Sequence, residues 1–187
     1  MSEIQEKHNY LYNSLDDASN LAGFTADDLD VVDQIKAVAN SAKVILIFAK
    51  NIGNLSDFAY WRLLSYIWIN GGYEIPYFFR AMFKMPIPNS NEVMLDEEYH
   101  VFKMLPKVIT CYRVHHTNHE KDFLSYTLSP SKAVIMAEEF QRNNSFAGIS
   151  EYKVNKSDVF AVFTRHWEDE ILVLDRSKVR FERKVDV

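Results

Sequence analysis

The sequence changes its pattern at about Pro106, and this change constrains the fold more than any other feature. Before Pro106, apolar residues recur at the three- and four-residue spacing of a helix face. After it, short runs rich in β-branched and aromatic residues alternate with turn residues, as in strands. We therefore predict an α+β protein with a helical region over residues 1–105 and a strand-rich region over residues 106–187.

The first predicted helix begins at Thr25. A threonine is a favoured N-cap, and Asp27 and Asp28 follow it in the first turn, where acidic side chains are stabilised by the helix dipole. The apolar spacing then continues through residues 44–48 until Gly53. We expect the helix to extend that far, although the run at 44–48 also fits a buried strand.

Aromatic side chains concentrate in the second and third predicted helices. The second begins at Ser56-Asp57 and ends at Gly71-Gly72, and the third covers Tyr73–Phe83 before Pro86 and Pro88. An aromatic stripe of this kind is usually core, and the alternatives are a partner-binding or membrane-surface face. Its members include Phe58, Trp61, Trp68, Tyr77, Phe78, Phe79 and Phe83.

Five strands and one helix are predicted after Pro106. The helix begins at Ser129-Pro130-Ser131, with Pro130 at its first position. Turn residues at 155–158 and 175–178 predict two hairpin turns. The predicted strands are Val108–His115, Ser150–Asn155, Val159–Thr164, Ile171–Leu174 and Val179–Val185.

The net charge of −5 is unevenly distributed along the chain. Residues 1–105 contain 8 Lys and Arg against 14 Asp and Glu, whereas residues 106–187 contain 13 against 12. An acidic first half argues against broad electrostatic capture of nucleic acid. A local contact made by the second half remains compatible with these charges.

The single cysteine, Cys111, excludes an internal disulfide and a cysteine-rich metal site. It stands in an apolar run, so we expect a small buried side chain. The polar residues 1–9 do not resemble a secretory signal, and no apolar run reaches membrane-spanning length. We expect a cytoplasmic protein with no membrane contact.

Two acidic residues precede a predicted buried strand. Glu168 and Glu170 are two positions apart, so in a strand their side chains share a face with Cα atoms roughly 7 Å apart, while Asp169 points the other way. Carboxylates at such a rim can stabilise a developing cation and deprotonate a nucleophile. A solvated strand end is the alternative.

Two further groups stand near the start of the strand-rich region. Arg113 lies in a β-run, where an arginine is either exposed or holds a carboxylate or phosphate through its planar fork. Ser125-Tyr126-Thr127 ends a strand that passes into the helix at Pro130. Its hydroxyls either cap that helix or bind a ligand or a neighbouring acid.

Taken in order, Tyr112-Arg113-Val114, Ser125-Tyr126-Thr127 and Glu168-Asp169-Glu170 resemble the motifs of the ADP-ribosyltransferase superfamily, in the group with Arg, Ser-x-Thr and Glu-x-Glu. The resemblance covers residues 108–185, and this stretch is similar to small bacterial and phage-borne members. It implies an NAD-binding antiparallel β-sandwich core, on which the helical first half packs. The loop after Arg113 departs from the family because it has no glycine where many relatives have one.

The resemblance assigns the NAD site to the first two motifs. It implies that Arg113 holds an NAD phosphate and that the backbone of Val114 binds the nicotinamide amide. Ser125 is expected to hydrogen-bond Glu170, and Tyr126 or a neighbouring aromatic to stack on nicotinamide. Thr127 completes the expected cofactor-binding strand.

The third motif carries the expected chemistry. The resemblance implies that Glu170 binds the ribose hydroxyl and stabilises the cationic sugar as nicotinamide leaves. Glu168 would support transfer to the acceptor, which in relatives is often an arginine guanidinium. Residues 164–167 would form the acceptor-recognition loop, with His166 or Trp167 in contact with the acceptor.

Three histidines, His115, His116 and His119, lie close together in sequence but do not predict a metal site. No cysteine and no third-ligand pattern accompanies them, so this spacing does not indicate a metal site. His115 lies on the same strand face as Arg113 and is more consistent with a residue beside the ligand.

The function expected from the resemblance is NAD-dependent mono-ADP-ribosylation of a macromolecule, either protein arginine or nucleic acid. The setting expected is a bacterial or phage toxin or defence effector. An antitoxin or other regulator would bind the aromatic first half. The alternatives are an NAD glycohydrolase, with water as acceptor, and a non-catalytic interaction protein that retains the fold.

Overall fold

A computed structural model describes residues 11, 13–38, 41–70, 75–116, 124–165 and 169–185. Its principal helices are α1 (Ala26–Lys36), α2 (Ser41–Asn51), α3 (Asp57–Ile69), α4 (Pro76–Phe83), α5 (Asp96–Met104) and α6 (Pro130–Arg142). Its strands are β1 (Val108–His116), β2 (Ser125–Thr127), β3 (Phe146–Asn155), β4 (Ala161–Phe163), β5 (Glu170–Leu172) and β6 (Val179–Val185). In this part of the chain, no helix has the length and apolar character needed to cross a membrane.

The strands form one open antiparallel sheet in the order β4-β5-β2-β1-β3-β6. The α+β class predicted from the sequence is therefore confirmed. β6 has the predicted bounds, whereas β3 begins at Phe146 rather than Ser150, and β4 and β5 are shorter than expected.

The expected hairpin turns are wrong. Residues 156–158 and 176–178 do form short 3-10 turns, but β3 pairs with β1 and β6, and β4 pairs with β5. Asp175 shows why the turn residues did not predict the strand pairing. Its Oδ1 accepts hydrogen bonds from the backbone N (3.0 Å) and Oγ (2.7 Å) of Ser177. Such a bond stabilises a reversal whichever strand the chain enters next.

The helix starts predicted from capping residues are confirmed. Thr25 and Asp28 form a reciprocal capping box, Ser56 caps α3, and Ser129 caps α6 with Pro130 at its first position. The expected single helix to Gly53 is wrong, since α1 ends at Lys36 and a separate helix begins at Ser41. A capping bond joins residues only a few positions apart, so the sequence shows where a helix begins. Apolar spacing can continue unchanged across a break between two helices, so it did not show where the first helix ends.

The run at residues 44–48 is helical rather than a strand. Val44 and Phe48 are buried at 1% and 0% exposure, whereas Leu46 is 57% exposed. The aromatic stripe is mostly buried: Trp61, Trp68, Phe79 and Phe83 are all below 5% exposure. Tyr77 differs from them, being 66% exposed.

The chain divides into two compact units, residues 1–75 with 85–93, and residues 76–84 with 94–187. The predicted boundary at residues 105 and 106 follows the change in secondary structure, whereas α4 and α5 belong to the unit that contains the sheet. The Phe83 ring lies 5.4 Å from that of Phe160, and the Met94 sulfur accepts a hydrogen bond from the Val162 backbone N at 3.4 Å. These contacts join α4, and the segment that leads into α5, to the part of the chain that forms the sheet.

One face of the sheet is covered by α6. Ala133 and Ala137 of α6 pack with Val114 of β1 and Ile149 of β3 in a common apolar cluster. Since side chains alternate along a strand, the neighbours of Val114 on β1 belong to the opposite face. The sheet therefore has an α6 face and an opposite face.

Candidate functional site

Arg113, Ser125 and Glu170 lie on three strands that are neighbours in the middle of the sheet. Arg113 is on β1, Ser125 begins β2, and Glu170 begins β5, and the sheet order places β2 between the other two. The three sequence motifs are thereby brought together, although they are far apart along the chain.

Glu170 lies in a continuous row of register pairs. Tyr112 pairs with Thr127, Thr127 pairs with Glu170, and Glu170 pairs with Phe163. Glu170 and Thr127 are only 6% and 8% exposed. A carboxylate held in a low-dielectric interior acts more strongly on a nearby charge than one in water.

The start of β5 is tied to the start of α6. The Leu128 backbone N donates to the Asp169 carbonyl O at 2.8 Å, and Lys132 Nζ lies 2.8 Å from Asp169 Oδ2. Because Asp169 directly precedes Glu170, these two contacts hold the backbone beside the expected catalytic acid.

Arg113 contacts Ser125 directly. Its Nη1 donates to the Ser125 carbonyl O at 3.2 Å and to Ser125 Oγ at 3.3 Å. By alternation Arg113 belongs to the opposite face, whereas Ser125 shares the α6 face with Thr127 and Glu170. The Arg113 guanidinium thus contacts the first residue of the neighbouring strand, whose side chain belongs to the other face.

The expected Ser125–Glu170 hydrogen bond remains a prediction. Ser125 pairs with Leu172 in the register, and Glu170 pairs with Thr127, so Ser125 and Glu170 are diagonal neighbours on one face. Such neighbours have Cα atoms about 7–8 Å apart, within reach of long side chains.

Tyr126 and Val114 have buried side chains, at 2% and 3% exposure. Burial raises the pKa of the Tyr126 hydroxyl, while the nearby charges of Arg113 and Arg176 act in the opposite direction. The ring of Tyr126 packs edge-on to that of Tyr152, with centroids 5.4 Å apart. The Tyr126 ring, which was expected to stack on nicotinamide, is therefore already covered by other protein groups, including the Tyr152 ring.

A second polar group on the opposite face was not predicted from the sequence. His115 Nε2 lies 2.8 Å from Ser150 Oγ and 3.4 Å from the hydroxyl of Tyr152. Ser150 also pairs with Arg113 in the β1–β3 register. Only the position of His115, two residues after Arg113, signalled this group, because Ser150 and Tyr152 come from a distant strand.

Glu98 of α5 is a buried residue that sequence reasoning missed. At 1% exposure, its Oε1 accepts from the Thr164 backbone N (2.9 Å) and from Arg165 Nε (2.8 Å), and its Oε2 accepts from the Leu95 backbone N (2.9 Å). Glu98 therefore anchors the end of β4, next to the strand that carries Glu170. A glutamate three residues into a helix is too common a pattern to single it out.

Several predicted residues lie outside the described part of the chain. Glu168, His166 and Trp167 belong to the undescribed residues 166–168, and His119 belongs to 117–123. Within the described residues, no three His, Cys, Asp or Glu side chains form a group that could hold a metal ion.

Comparison of the chain with models of known protein families, with curated proteins and with solved structures gave no match.

Proposed function

We propose that the chain is an NAD-dependent mono-ADP-ribosyltransferase. The observation that carries this proposal is the placement of Arg113, Ser125 and Glu170 on the neighbouring strands β1, β2 and β5, with Arg113 Nη1 3.3 Å from Ser125 Oγ. Three motifs that act on one ligand must meet in space. Their strands are neighbours, and although Arg113 belongs to the opposite face, its guanidinium contacts Ser125, which shares a face with Glu170. The finer assignment of residues 108–185 as an ADP-ribosyltransferase core belongs to the same proposal.

The proposed reaction breaks the glycosidic bond between nicotinamide and ribose C1′ of NAD. Nicotinamide leaves with the bonding electron pair, positive charge develops on the ribose, and C1′ bonds to a nucleophile of the acceptor. The acceptor gives up its proton, and Glu168 is the proposed base. The buried carboxylate of Glu170 supplies the negative charge that stabilises the cationic sugar.

Arg113 suits the binding of an NAD phosphate. A guanidinium binds phosphate oxygens through a planar fork, and its orientation must be held for that fork to act. The two bonds from Nη1 to Ser125 hold the group from one side. Ser125 belongs to β2, and β2 pairs with β5, the strand that carries Glu170. Ser125 thereby links Arg113 to the neighbour of the Glu170 strand.

The proposed setting is a bacterial or phage toxin or defence effector with a regulatory partner. The aromatic residues of the first half are proposed to contribute to that contact. Tyr77 is the member with the largest exposed fraction among those measured, at 66%, so it is the first residue to substitute in a search for the partner.

Labelled NAD added to a cell lysate tests the function. We expect label on a macromolecule, and we expect Glu170→Gln to reduce labelling by at least 100-fold, because a lost electrostatic contact to the transition state costs about 10²–10³ in rate. Glu138→Gln on the exposed side of α6 is the matched control and should label like wild type. Unchanged labelling by Glu170→Gln would contradict the assignment of the catalytic acid.

The same assay separates the remaining functions. Free ADP-ribose without labelled macromolecule would indicate NAD hydrolysis. NAD that stays intact in every lysate would indicate a non-catalytic interaction protein. Digestion of the labelled product with protease or nuclease identifies the acceptor polymer.

A further inference from the structure

The edge strand β6 and the turn before it are strongly basic. Residues 175–185 contain five Lys and Arg against two acids, in a chain whose net charge is −5. All five cationic residues are exposed. They are Arg176, Lys178, Arg180, Arg183 and Lys184.

The cations on the α6 face are largely neutralised. Arg180 Nε lies 2.7 Å from Glu182 Oε1, and Arg183 Nη2 lies 2.9 Å from Glu151 Oε2. Lys153 Nζ lies 3.2 Å from the other oxygen of Glu182. This side of the edge therefore forms an alternating ion-pair network with little excess charge.

Lys184 lies on the opposite face, outside this network. Lys184 pairs with Ser150, and Ser150 pairs with Arg113, so the three form one row across β6, β3 and β1. Across two strand spacings, Lys184 and Arg113 are roughly 10 Å apart at their backbones. Among the described residues, no carboxylate forms a salt bridge with Lys184, whereas Lys178 lies close enough to Asp175 for its charge to help lower the pKa of that carboxyl.

An exposed aromatic ring lies among these cations. Phe181 is 53% exposed, and its ring packs edge-on to Tyr152 with centroids 5.8 Å apart. Arg176, in the turn before β6, is exposed as well. We call the group of Arg176, Lys178, Phe181 and Lys184 the basic edge.

Protection against strand pairing does not explain the basic edge. Charged side chains are a known means of keeping an edge strand from pairing with another chain. An exposed phenylalanine on the same edge works against that purpose. The other edge strand, β4, is instead entirely buried, with all three of its residues at 0% exposure.

We propose that the basic edge binds single-stranded nucleic acid, and that this polymer is the acceptor of the ADP-ribosyl group. Lysine and arginine neutralise the phosphates, and an exposed aromatic ring stacks on an unpaired base, which a duplex does not present. The row from Lys184 to Arg113 places this edge roughly 10 Å from the arginine proposed to hold the NAD phosphate. The acceptor part rests on the proposed function, whereas the binding part does not.

The transfer step follows the reaction above with a nucleic-acid nucleophile. A base nitrogen or a hydroxyl oxygen of the strand forms the new bond to ribose C1′ and releases its proton. Nicotinamide departs with the electron pair of the broken glycosidic bond. No oxidant, reductant or metal is required for this balance.

Binding is measured by fluorescence anisotropy with a labelled 20-nucleotide RNA of mixed sequence, without NAD. We expect Lys178→Glu/Lys184→Glu to weaken Kd at least tenfold and to reduce the slope of log Kd against log salt by about 1.4, the value for two phosphate contacts. Phe181→Ala should weaken Kd about 5- to 100-fold through lost stacking. Lys43→Glu/Lys50→Glu, on the exposed side of α2, is the matched charge control and should bind within twofold of wild type.

Each outcome decides one of the two claims. No RNA binding by wild type at low salt, or unchanged binding by Lys178→Glu/Lys184→Glu, overturns the basic edge as a binding surface. Label found only on protein in the lysate overturns nucleic acid as the acceptor while the transferase stands. RNA binding that depends on the basic edge, in a protein that never consumes NAD, supports the binding surface and rejects the proposed transferase.

Discussion

Cys111 shows how burial alone determines the chemistry of one side chain. It lies in β1 at 0% exposure, and burial raises the pKa of its thiol to about 12. The thiolate is the reactive form, so at pH 8 only about one thiol in ten thousand is reactive at a given moment. We expect Ellman's reagent to modify Cys111 only as fast as the protein unfolds.

The comparison that checks this is the same reaction in 8 M urea, where the exposed thiol should react within the mixing time. Labelling of the native protein at a rate close to that of the unfolded chain would show that Cys111 is accessible. Because the sequence contains one cysteine, the measured signal has a single source.

At the scale of elements, α5 and β4 are held together by Glu98. Its carboxylate binds Arg165 and the Thr164 backbone N at the end of β4, and both partners are buried or nearly so. Removing one member of a buried ion pair leaves the other charge without compensation, which costs about 3–5 kcal/mol. We expect Glu98→Ala to lower the free energy of unfolding by that amount in urea titrations.

Glu97→Gln is the matched control, because Glu97 is exposed in the same first turn of α5 and should change stability by less than about 0.5 kcal/mol. If Glu98→Ala does not fold, Glu98→Gln provides a second measurement. In that variant, the amide proton of Thr164 should exchange faster than in wild type. Equal exchange rates would show that Glu98 does not hold the end of β4.

At the scale of the whole molecule, a buried carboxylate joins distant segments in each of the two compact units. Glu98 does this in the unit with the sheet, and Asp28 does it in the helical unit. Asp28 is 0% exposed and accepts from the backbone N and Oγ1 of Thr25 (2.8 and 2.9 Å) and from the backbone N and Oγ of Ser56 (2.8 and 2.7 Å). It thereby fixes the starts of α1 and α3 against each other.

The acid stability of the protein should depend on Asp28. Burial raises the pKa of this carboxyl, but the hydrogen bonds from Thr25 and Ser56 outweigh that effect and the net pKa is lowered. A lowered pKa in the folded state stabilises the fold above the ordinary value of about 3.9, and this stabilisation is lost as pH falls through the folded-state pKa. We expect Asp28→Asn to cost about 1–3 kcal/mol at pH 7 and less at pH 3.

Urea titrations from pH 7 to pH 3 measure this difference. Asp27→Asn, an exposed neighbour in the same turn, should follow wild type throughout. A constant gap between wild type and Asp28→Asn over the whole range would mean that ionisation of Asp28 does not contribute.

Local signals in the sequence predicted the parts of the fold that depend on neighbours in the chain. Helix starts were identified at Thr25, Ser56 and Ser129 because a capping side chain bonds to a backbone N–H two or three residues away. The bounds of β6 were also predicted correctly, because a β-rich run is recognised from residues that are neighbours in the chain. The expected hairpins failed because a turn residue carries no information about which strand lies beside the next one.

For the candidate site, too, the sequence predicted the residues but not the contacts between them. The residues Arg113, Ser125 and Glu170 were named from their motifs, but their strand adjacency is a property of the sheet order. His115 with Ser150, and Glu98 with Arg165, were not paired in advance. Each of these pairs joins segments far apart in the chain, where no periodicity or cap relates the partners.

By itself, the sequence determined the α+β class, the helix starts at Thr25, Ser56 and Ser129, and the residue types available for chemistry. These follow from hydrogen bonds and apolar spacing within a few residues. Only the tertiary structure decided that β2 lies between β1 and β5, that Arg113 meets Ser125, and that Lys184 shares a face with Phe181. Strand neighbours are chosen by the packing of the whole sheet, so the contacts that make a site arise only when the chain has folded.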